Sequence, residues 1–282
     1  MSKAVFIGVG RMARGLIESF SREGGIDGCS ILGTHHDPMR CEALQEELGI
    51  PMVASNREAI EGARYIFLCV RPLQLLDTVT EIGNLLTKEQ TVISIAVGVP
   101  LIRIRARCPK AGPIFHVHPP SLCMAHTRGM SFVAHEARAS TEAVKHVEKI
   151  FAKLGSVRTT AEENIDRFAV FAGASPAFVC QILDDWHSLA LDEGIEKEVA
   201  DEIIHYIVRG IYTAYDGYDP RNGDRFSLEQ IIHRIATPNG VTRVGLRAME
   251  RRKYRNFKGA LKSVASQCLK KIAHIRDAVG RQ

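Results

Sequence analysis

The chain has 282 residues, 45% of them apolar and 24% charged, and a formal net charge of +5. That is long enough for a sizeable core and for two domains, in the composition of an ordinary soluble globular protein. No apolar run approaches the ~20 residues of a membrane span, and the densest basic stretch, 247–253, falls on a helical pattern without the aromatic interleaving of a nucleic-acid site.

Val5, Phe6 and Ile7 predict a short buried strand, Gly8-Val9-Gly10 breaks it, and a helical pattern begins at Met12. Gly8, Gly10 and Ala13 make a GxGxxA fingerprint. Gly8 permits a sharp turn. Gly10 leaves the N–H groups of the helix start, around Arg11 and Met12, open to a pyrophosphate, and Ala13 lets helix and strand pack closely. A second strand-like run at 29–34 stands at about the ~20-residue separation expected of a dinucleotide site.

The pattern continues with a helix over 41–48, a short strand at 52–53, a continuous apolar strand at 65–70, a helix over 73–86 and a second apolar strand at 91–97. Pro100 starts a short helix, and Ile114–His118 and 130–134 read as further strands. This alternation predicts a Rossmann-type, doubly wound parallel sheet with right-handed crossovers and a ligand outside the carboxyl ends of its strands. Beyond residue 160 helical periodicity dominates, at 176–191, 197–214, 228–235, 241–251 and 257–275, with a Gly/Pro/Asn/Asp-rich loop at 215–224. The expected domains are a dinucleotide-binding domain, 1–160, and an all-α substrate and dimerisation domain, 161–282.

Cofactor choice turns on the end of the second strand. An NAD site places a carboxylate there for the ribose 2′-OH, whereas an NADP site offers cationic or polar donors to the 2′-phosphate. The strand ends Gly33-Thr34-His35-His36, with Arg40 one turn on. Thr34, His35, His36 and Arg40 are therefore candidate phosphate contacts and NADPH is favoured. NADH stays open through Asp37, which a shift of one or two residues would make a ribose acceptor.

Seven cysteines, Cys29, Cys41, Cys69, Cys108, Cys123, Cys180 and Cys268, form no CxxC pair and read as reduced core residues. With an N-terminus that reads as a strand rather than a signal peptide, the expected location is the cytoplasm.

Several landmarks then appear in a familiar order. They are Ile7-Gly8-Val9-Gly10-Arg11-Met12-Ala13, Val70-Arg71-Pro72, the strand Ile93-Ser94-Ile95-Ala96-Val97-Gly98-Val99, Asp166 before Ala172-Gly173-Ala174-Ser175-Pro176-Ala177, and Thr237-Pro238-Asn239-Gly240-Val241-Thr242. Over nearly the whole chain this resembles the pyrroline-5-carboxylate reductase family, with its VKP, ISIAAGV, SGSGPA and SPGG(T/A)T elements. The departures cluster at the substrate end. The family's MPNTP is poorly kept, with Ser121, Leu122 and Cys123 after Pro120, and SGSGPA has become AGASPA.

The resemblance implies hydride transfer from a nicotinamide to the C=N carbon of a cyclic imine carboxylate. The cofactor supplies the difficult step, which suits a sequence without a catalytic triad or carboxylate pair. It assigns Val70, Arg71, Pro72 and Ala96 to the cofactor. Thr242 is assigned to the substrate ring nitrogen, and the backbone N–H groups of Asn239, Gly240 and Val241 suit the carboxylate at a helix N-terminus.

Ser175 is expected near the active site and as the cap of the helix opening at Pro176, and Asp166 as a residue orienting that loop or as a plain surface carboxylate. His116 and His118 alternate on one strand and face one side. Core or surface histidines are the default reading. His118 is also a candidate substrate contact or acid, and with Cys123 or His126 a metal ligand, although the irregular spacing and the chemistry call for no metal. A small-molecule imine and a homo-oligomer built through the C-terminal helices are the expected partners. A reductase retuned to another imine or 2-oxo acid derivative, and a nucleotide-binding sensor or scaffold without chemistry, are the alternatives.

Overall fold

The structure, a computed structural model, describes residues 2–121, 128–218, 223–238, 240–251 and 257–282. The apolar runs form strands and the amphipathic segments between them form helices. In order these are β1 (Lys3–Ile7), α1 (Arg11–Arg22), β2 (Ser30–Thr34), α2 (Pro38–Leu48), β3 (Met52–Val53), α3 (Asn56–Ala59) and β4 (Ala63–Leu68). They continue as α4 (Pro72–Ile82), β5 (Thr91–Ser94), α5 (Leu101–Arg107), β6 (Ile114–His118), β7 (Gly129–His135), α6 (Thr141–Ala152) and β8 (Gly155–Thr159). The helical remainder comprises α7 (Ile165–Phe168), a π-helical turn (Ala169–Ala174), α8 (Ser175–Asp192), α9 (Lys197–Asp216), α10 (Leu228–Ile235), α11 (Val241–Arg251) and α12 (Phe257–Gly280).

The eight strands lie in one sheet, ordered β3-β2-β1-β4-β5-β6-β7-β8. Strands β1 to β6 are mutually parallel, but β7 pairs antiparallel with β6, and β8 runs parallel to β7. The expected Rossmann-type parallel sheet is present, with β7 as its antiparallel member. The link from His118 to Gly129 is shorter than the roughly a dozen residues a parallel crossover needs, so the chain turns back.

Strand order reverses between β1 and β4, which makes the crevice outside their carboxyl ends the topological switch point where such sheets bind ligands. Alternation along β1 sends Ala4 and Phe6 to one apolar cluster, with Phe20, Phe67 and Phe151, and sends Val5 and Ile7 to the other, with Ile66, Leu68, Leu75 and Val79. The Phe6 and Phe67 rings stack at 4.3 Å, and Phe151 meets Phe20 edge-on at 5.8 Å. Burial of each such ring contributes about 2–3 kcal/mol.

The chain forms two compact units, one of Met1–Pro176 with Ala265–Gln282, the other of Ala177–Val264. Strands stop at Thr159, where the sequence changes character, yet the units divide later, at Pro176. The end of α12 belongs with the sheet because Ile275 and Val279 join its apolar cluster and Arg103 donates to the Gly280 carbonyl at 2.8 Å. In the second unit, α10 opens with a capping box between Ser227 and Gln230. Among the described residues, no helix is long and apolar enough to cross a membrane.

Candidate functional site

The site is built from the loops that leave the carboxyl ends of β1, β2, β4 and β5. After β1, Gly8 takes φ +83°, and a Cβ there would stand 2.5 Å from Val70 Cγ1, in the loop after β4. Glycine is required at this position for both backbone angle and space. Gly10 is different, because an added Cβ would meet nothing within 4 Å. Gly10 occupies the N-cap of α1 with extended backbone and no side-chain cap, and the first turn carries no acidic residue. The first-turn N–H groups after it, at Arg11 and Met12, therefore lead into open space with the positive end of the helix dipole behind them. Ala13 is 1% exposed and packs into the core, as a small third fingerprint residue should.

At the end of β2 the residues expected to contact a phosphate separate. Thr34 is buried at 1% exposure. Its hydroxyl donates to Asn56 Oδ1 at 2.7 Å and accepts from the Gly8 N–H at 3.2 Å. It braces the glycine turn instead of presenting itself to a ligand, which corrects the expected phosphate contact. Asn56 in turn donates to Glu81 at 2.9 Å, so a chain of polar side chains stands behind the turn. His35 and His36 stack with ring centroids 4.5 Å apart, and Arg40 is exposed one turn on. The Asp37 N–H donates to His35 Nδ1 at 3.1 Å, which leaves the ring hydrogen of a neutral His35 on Nε2. Asp37 is the N-cap of α2, its carboxylate accepting from the Met39 N–H at 3.0 Å.

After β4, Val70 holds Gly8, Arg71 is the exposed N-cap of α4 and Pro72 its first residue. Burial pushes the neighbouring Cys69 thiol up, so it remains a neutral thiol. After β5, Ala96 is buried and its N–H donates to Ser94 Oγ at 3.3 Å.

The histidines of β6 are interior residues. His116 and His118 are 3% and 8% exposed, and His118 Nε2 and both His116 ring nitrogens have no hydrogen-bond partner among the described residues. Burial, helped by nearby His116, lowers the His118 pKa to about 4. His118 is therefore a neutral imidazole near neutral pH in the ligand-free chain. A Cβ at Gly173 would fall 2.5 Å from His118 Nε2, so that glycine is what lets the π-helical turn close over the ring. The signal was present in the sequence as Gly173, the glycine kept at the second position of AGASPA. Cys123 and His126, weighed as metal partners, lie outside the described residues.

The segment around Ser175 also differs from expectation. The helix does not open at Pro176, since α7, the π-helical turn and α8 follow one another without a break. Ser175 is helical (φ −58°, ψ −32°), and its hydroxyl donates back to the Phe171 carbonyl at 2.7 Å. It is not an N-cap. The π turn widens the helix just before Pro176, where a proline would otherwise remove a hydrogen bond and crowd the preceding turn. Asp166 is no surface carboxylate, being 8% exposed.

In the second unit, α11 opens after Gly240 with Val241, 91% exposed, and an exposed Thr242. The Gly240 N–H is engaged by the Thr237 carbonyl at 3.1 Å, so it is not one of the open donors expected there. Asn239 lies outside the described residues.

Comparison with known proteins agrees with this architecture. Residues 3–98 match the family model described as NADP oxidoreductase coenzyme F420-dependent, and residues 162–275 match pyrroline-5-carboxylate reductase dimerisation. A pyrroline-5-carboxylate reductase of Staphylococcus aureus (strain COL) is 25% identical over 247 residues, 86% of this chain and 88% of that protein. The Staphylococcus saprophyticus protein of the same name is 24% identical over 271 residues, 95% of this chain and 94% of its own. Together these matches support a member of the pyrroline-5-carboxylate reductase family.

Solved structures carry the fold further. A 1-pyrroline-5-carboxylate reductase of Streptococcus pyogenes superposes with a TM-score of 0.81 at 22% identity, over 96% of this chain and 98% of that one. A Plasmodium falciparum pyrroline carboxylate reductase with NADP bound gives 0.82 at 18% identity, over 98% of each chain. By the family-model matches and the curated relatives, the protein is an oxidoreductase of pyrroline-5-carboxylate reductase type with a nicotinamide-nucleotide-binding fold. Against the family's SGSGPA element, the π-helical turn carries Ala172 and Ala174 on either side of the retained Gly173.

Proposed function

We propose that the protein reduces a cyclic imine carboxylate, with 1-pyrroline-5-carboxylate as substrate and proline as product, using NADPH in preference to NADH. The observation that carries this reading is the glycine turn at the switch point, with Gly8 locked against Val70 and Gly10 opening the first turn of α1 to a pyrophosphate. When bound, the dihydronicotinamide supplies the hydride for the C=N carbon.

The chain's own residues bind and orient. The N–H groups at Arg11 and Met12 take the pyrophosphate, Val70, Arg71 and Pro72 line the loop beside it, and Ala96 borders the nicotinamide. His35 through Nε2–H, His36 and Arg40 are the donors to a 2′-phosphate, while the nearest carboxylate, Asp37, caps α2. That division of labour supports NADPH. Thr242 donates from its hydroxyl to the ring nitrogen, and the Val241 N–H at the start of α11 suits the substrate carboxylate. His118 enters as a neutral ring under the π turn, a positioning part, and Ser175 supports that turn through Phe171. The apolar faces of the helical unit pair with a second copy to give a homodimer or larger assembly, consistent with the dimerisation match.

The test is loss of NADPH absorbance with purified protein and racemic pyrroline-5-carboxylate, with NADH in parallel. The expected result is rapid turnover preferring NADPH. Turnover of other imines or 2-oxo acid derivatives but not of this one would assign the altered substrate segments to a different substrate, and binding without turnover of any would leave a sensor. Thr242→Ala should lower kcat/KM on the order of tenfold to a hundredfold with NADPH affinity unchanged. Equal loss of both would remove the role given to Thr242.

A further inference from the structure

We infer that Glu162 and Asp166 are positioning residues that clamp the loop between β5 and α5 and thereby set the nicotinamide side of the cofactor site. This rests on the reading that Ala96 borders the nicotinamide.

The loop leaves the carboxyl end of β5 and passes Ala96 to Gly98 before α5 begins at Leu101. Two of its backbone donors are held by carboxylates from one short segment. The Gly98 N–H donates to Asp166 Oδ1 at 3.1 Å, and the Leu101 N–H donates to Glu162 Oε1 at 2.6 Å. Glu162 and Asp166 are four residues apart across a 3₁₀ turn (Glu162–Asn164) and α7, the spacing that puts two side chains on one helical face.

Each carboxylate has its own backing. Arg276 of α12 pairs with Asp166 Oδ2, and His116 Nδ1 of β6 stands 3.8 Å from Glu162 Oε1. Although burial pushes the Glu162 carboxyl up, the contacts with His116, the Leu101 N–H and Arg276 hold it below the usual carboxylate range, so it stays an acceptor.

The loop has little freedom to seat itself in another way. Gly98 takes φ +79°, and a Cβ there would approach the Ile272 carbonyl to 3.2 Å and Ile275 Cγ2 to 3.3 Å. Loop, clamp and α12 therefore fit as one piece, around a cavity of about 220 Å³ lined by Gly98, Pro100, His116, Glu162, Asp166 and Arg276. Loss of either carboxylate strands a backbone N–H that is otherwise answered by a charge-assisted hydrogen bond. A backbone shift at the β5 tip moves Ala96 with it, and misplacement by about 1 Å costs on the order of a hundredfold in rate.

The experiment uses the full chain with four single substitutions, Glu162→Ala, Glu162→Gln, Asp166→Ala and Asp166→Asn. NADPH Kd is measured by fluorescence titration, Tm by thermal melting, and kcat and KM for NADPH and imine well below each Tm. Glu162→Gln and Asp166→Asn keep an acceptor for the loop N–H and should stay within about threefold of wild type in NADPH KM. Both alanine variants should raise NADPH KM or lower kcat on the order of tenfold or more, with imine KM nearly unchanged.

Alanine variants that lose Tm while keeping kcat, both KM values and NADPH Kd would show a purely structural clamp and overturn the inference. So would glutamine and asparagine variants as impaired as alanine at equal Tm. Wild-type protein that binds NADPH but reduces no imine would overturn the proposed reaction while the titrations still test the clamp. Wild-type protein that does not bind NADPH would overturn both.

Discussion

The two units treat their apolar side chains in opposite ways. In the sheet unit β6 is buried along its whole length, β1 and β4 nearly so, and aromatic rings fill the layer beneath α1 and α6. In the helical region α8 buries no residue and α9 only Ala200, while Trp186, Tyr206 and Tyr212 are 57%, 63% and 68% exposed. One unit closes its own core within a single chain. The other carries more apolar surface than a monomer ordinarily exposes, which is the reason for assigning it to pairing with a second copy.

The largest effect should follow from breaking the closed unit at its tightest point. Gly8→Val forces a β-branched side chain into φ +83° and against Val70, so a loss of about 3 kcal/mol or more is expected, with loss of nucleotide binding. Chemical denaturation and NADPH titration check it. Gly10→Val is the control, since open space surrounds that position: Tm should hold while NADPH binding fails. A lost fold in both variants would erase the distinction between locked and open glycines.

The open unit is tested next. Trp186→Asp with Tyr212→Asp should shift the assembly to monomers in light scattering, costing on the order of 3 kcal/mol of association and removing the concentration dependence of Tm. An unchanged assembly would place the interface elsewhere.

Acid gives a somewhat smaller effect inside the closed unit. The folded-state pKa of His118 is about 4 against an ordinary 6.5, so between those values the unfolded chain binds a proton that the folded chain refuses. Stability contributed this way is complete above pH 6.5 and falls as pH drops toward 4, by about 2–3 kcal/mol. His118→Asn should flatten that part of the stability profile in urea titrations from pH 7 to 4, and an unaltered slope would show another group responsible. Smallest of all, Asp37→Ala removes one N-cap, for about 1 kcal/mol, and should barely change NADPH affinity. A strong fall in affinity would return Asp37 to the ribose.

Much of the sheet was legible because buried parallel strands write themselves as apolar runs, and the glycine fingerprint because it sits between a strand and a helix. The helical boundaries at 228–235 and 241–251 followed from periodicity alone. Elements with neither signal were missed. No element was expected at β8, whose Gly-Ser-Val-Arg-Thr is half-exposed, or at the four-residue α3, and the twelve-residue α6 was missed although Val147, Ile150 and Phe151 recur at helical spacing behind a Ser140 cap. The turn-back at β7 depended on connection length. Within the site, Thr34 was misassigned because only folding brings Asn56 and the Gly8 N–H to its hydroxyl, and Ser175 because a π turn leaves no mark in local propensity. The clamp on the β5 loop joins residues 61, 68 and 110 positions apart, beyond any local pattern.

The most direct test of the account is where the hydrogen goes. NADPH carrying deuterium at the transferring position of the nicotinamide, incubated with the protein and pyrroline-5-carboxylate, should yield proline one mass unit heavier, with the label on the former C=N carbon. Unlabelled proline, or no proline while NADPH binds, would contradict direct hydride transfer by this protein.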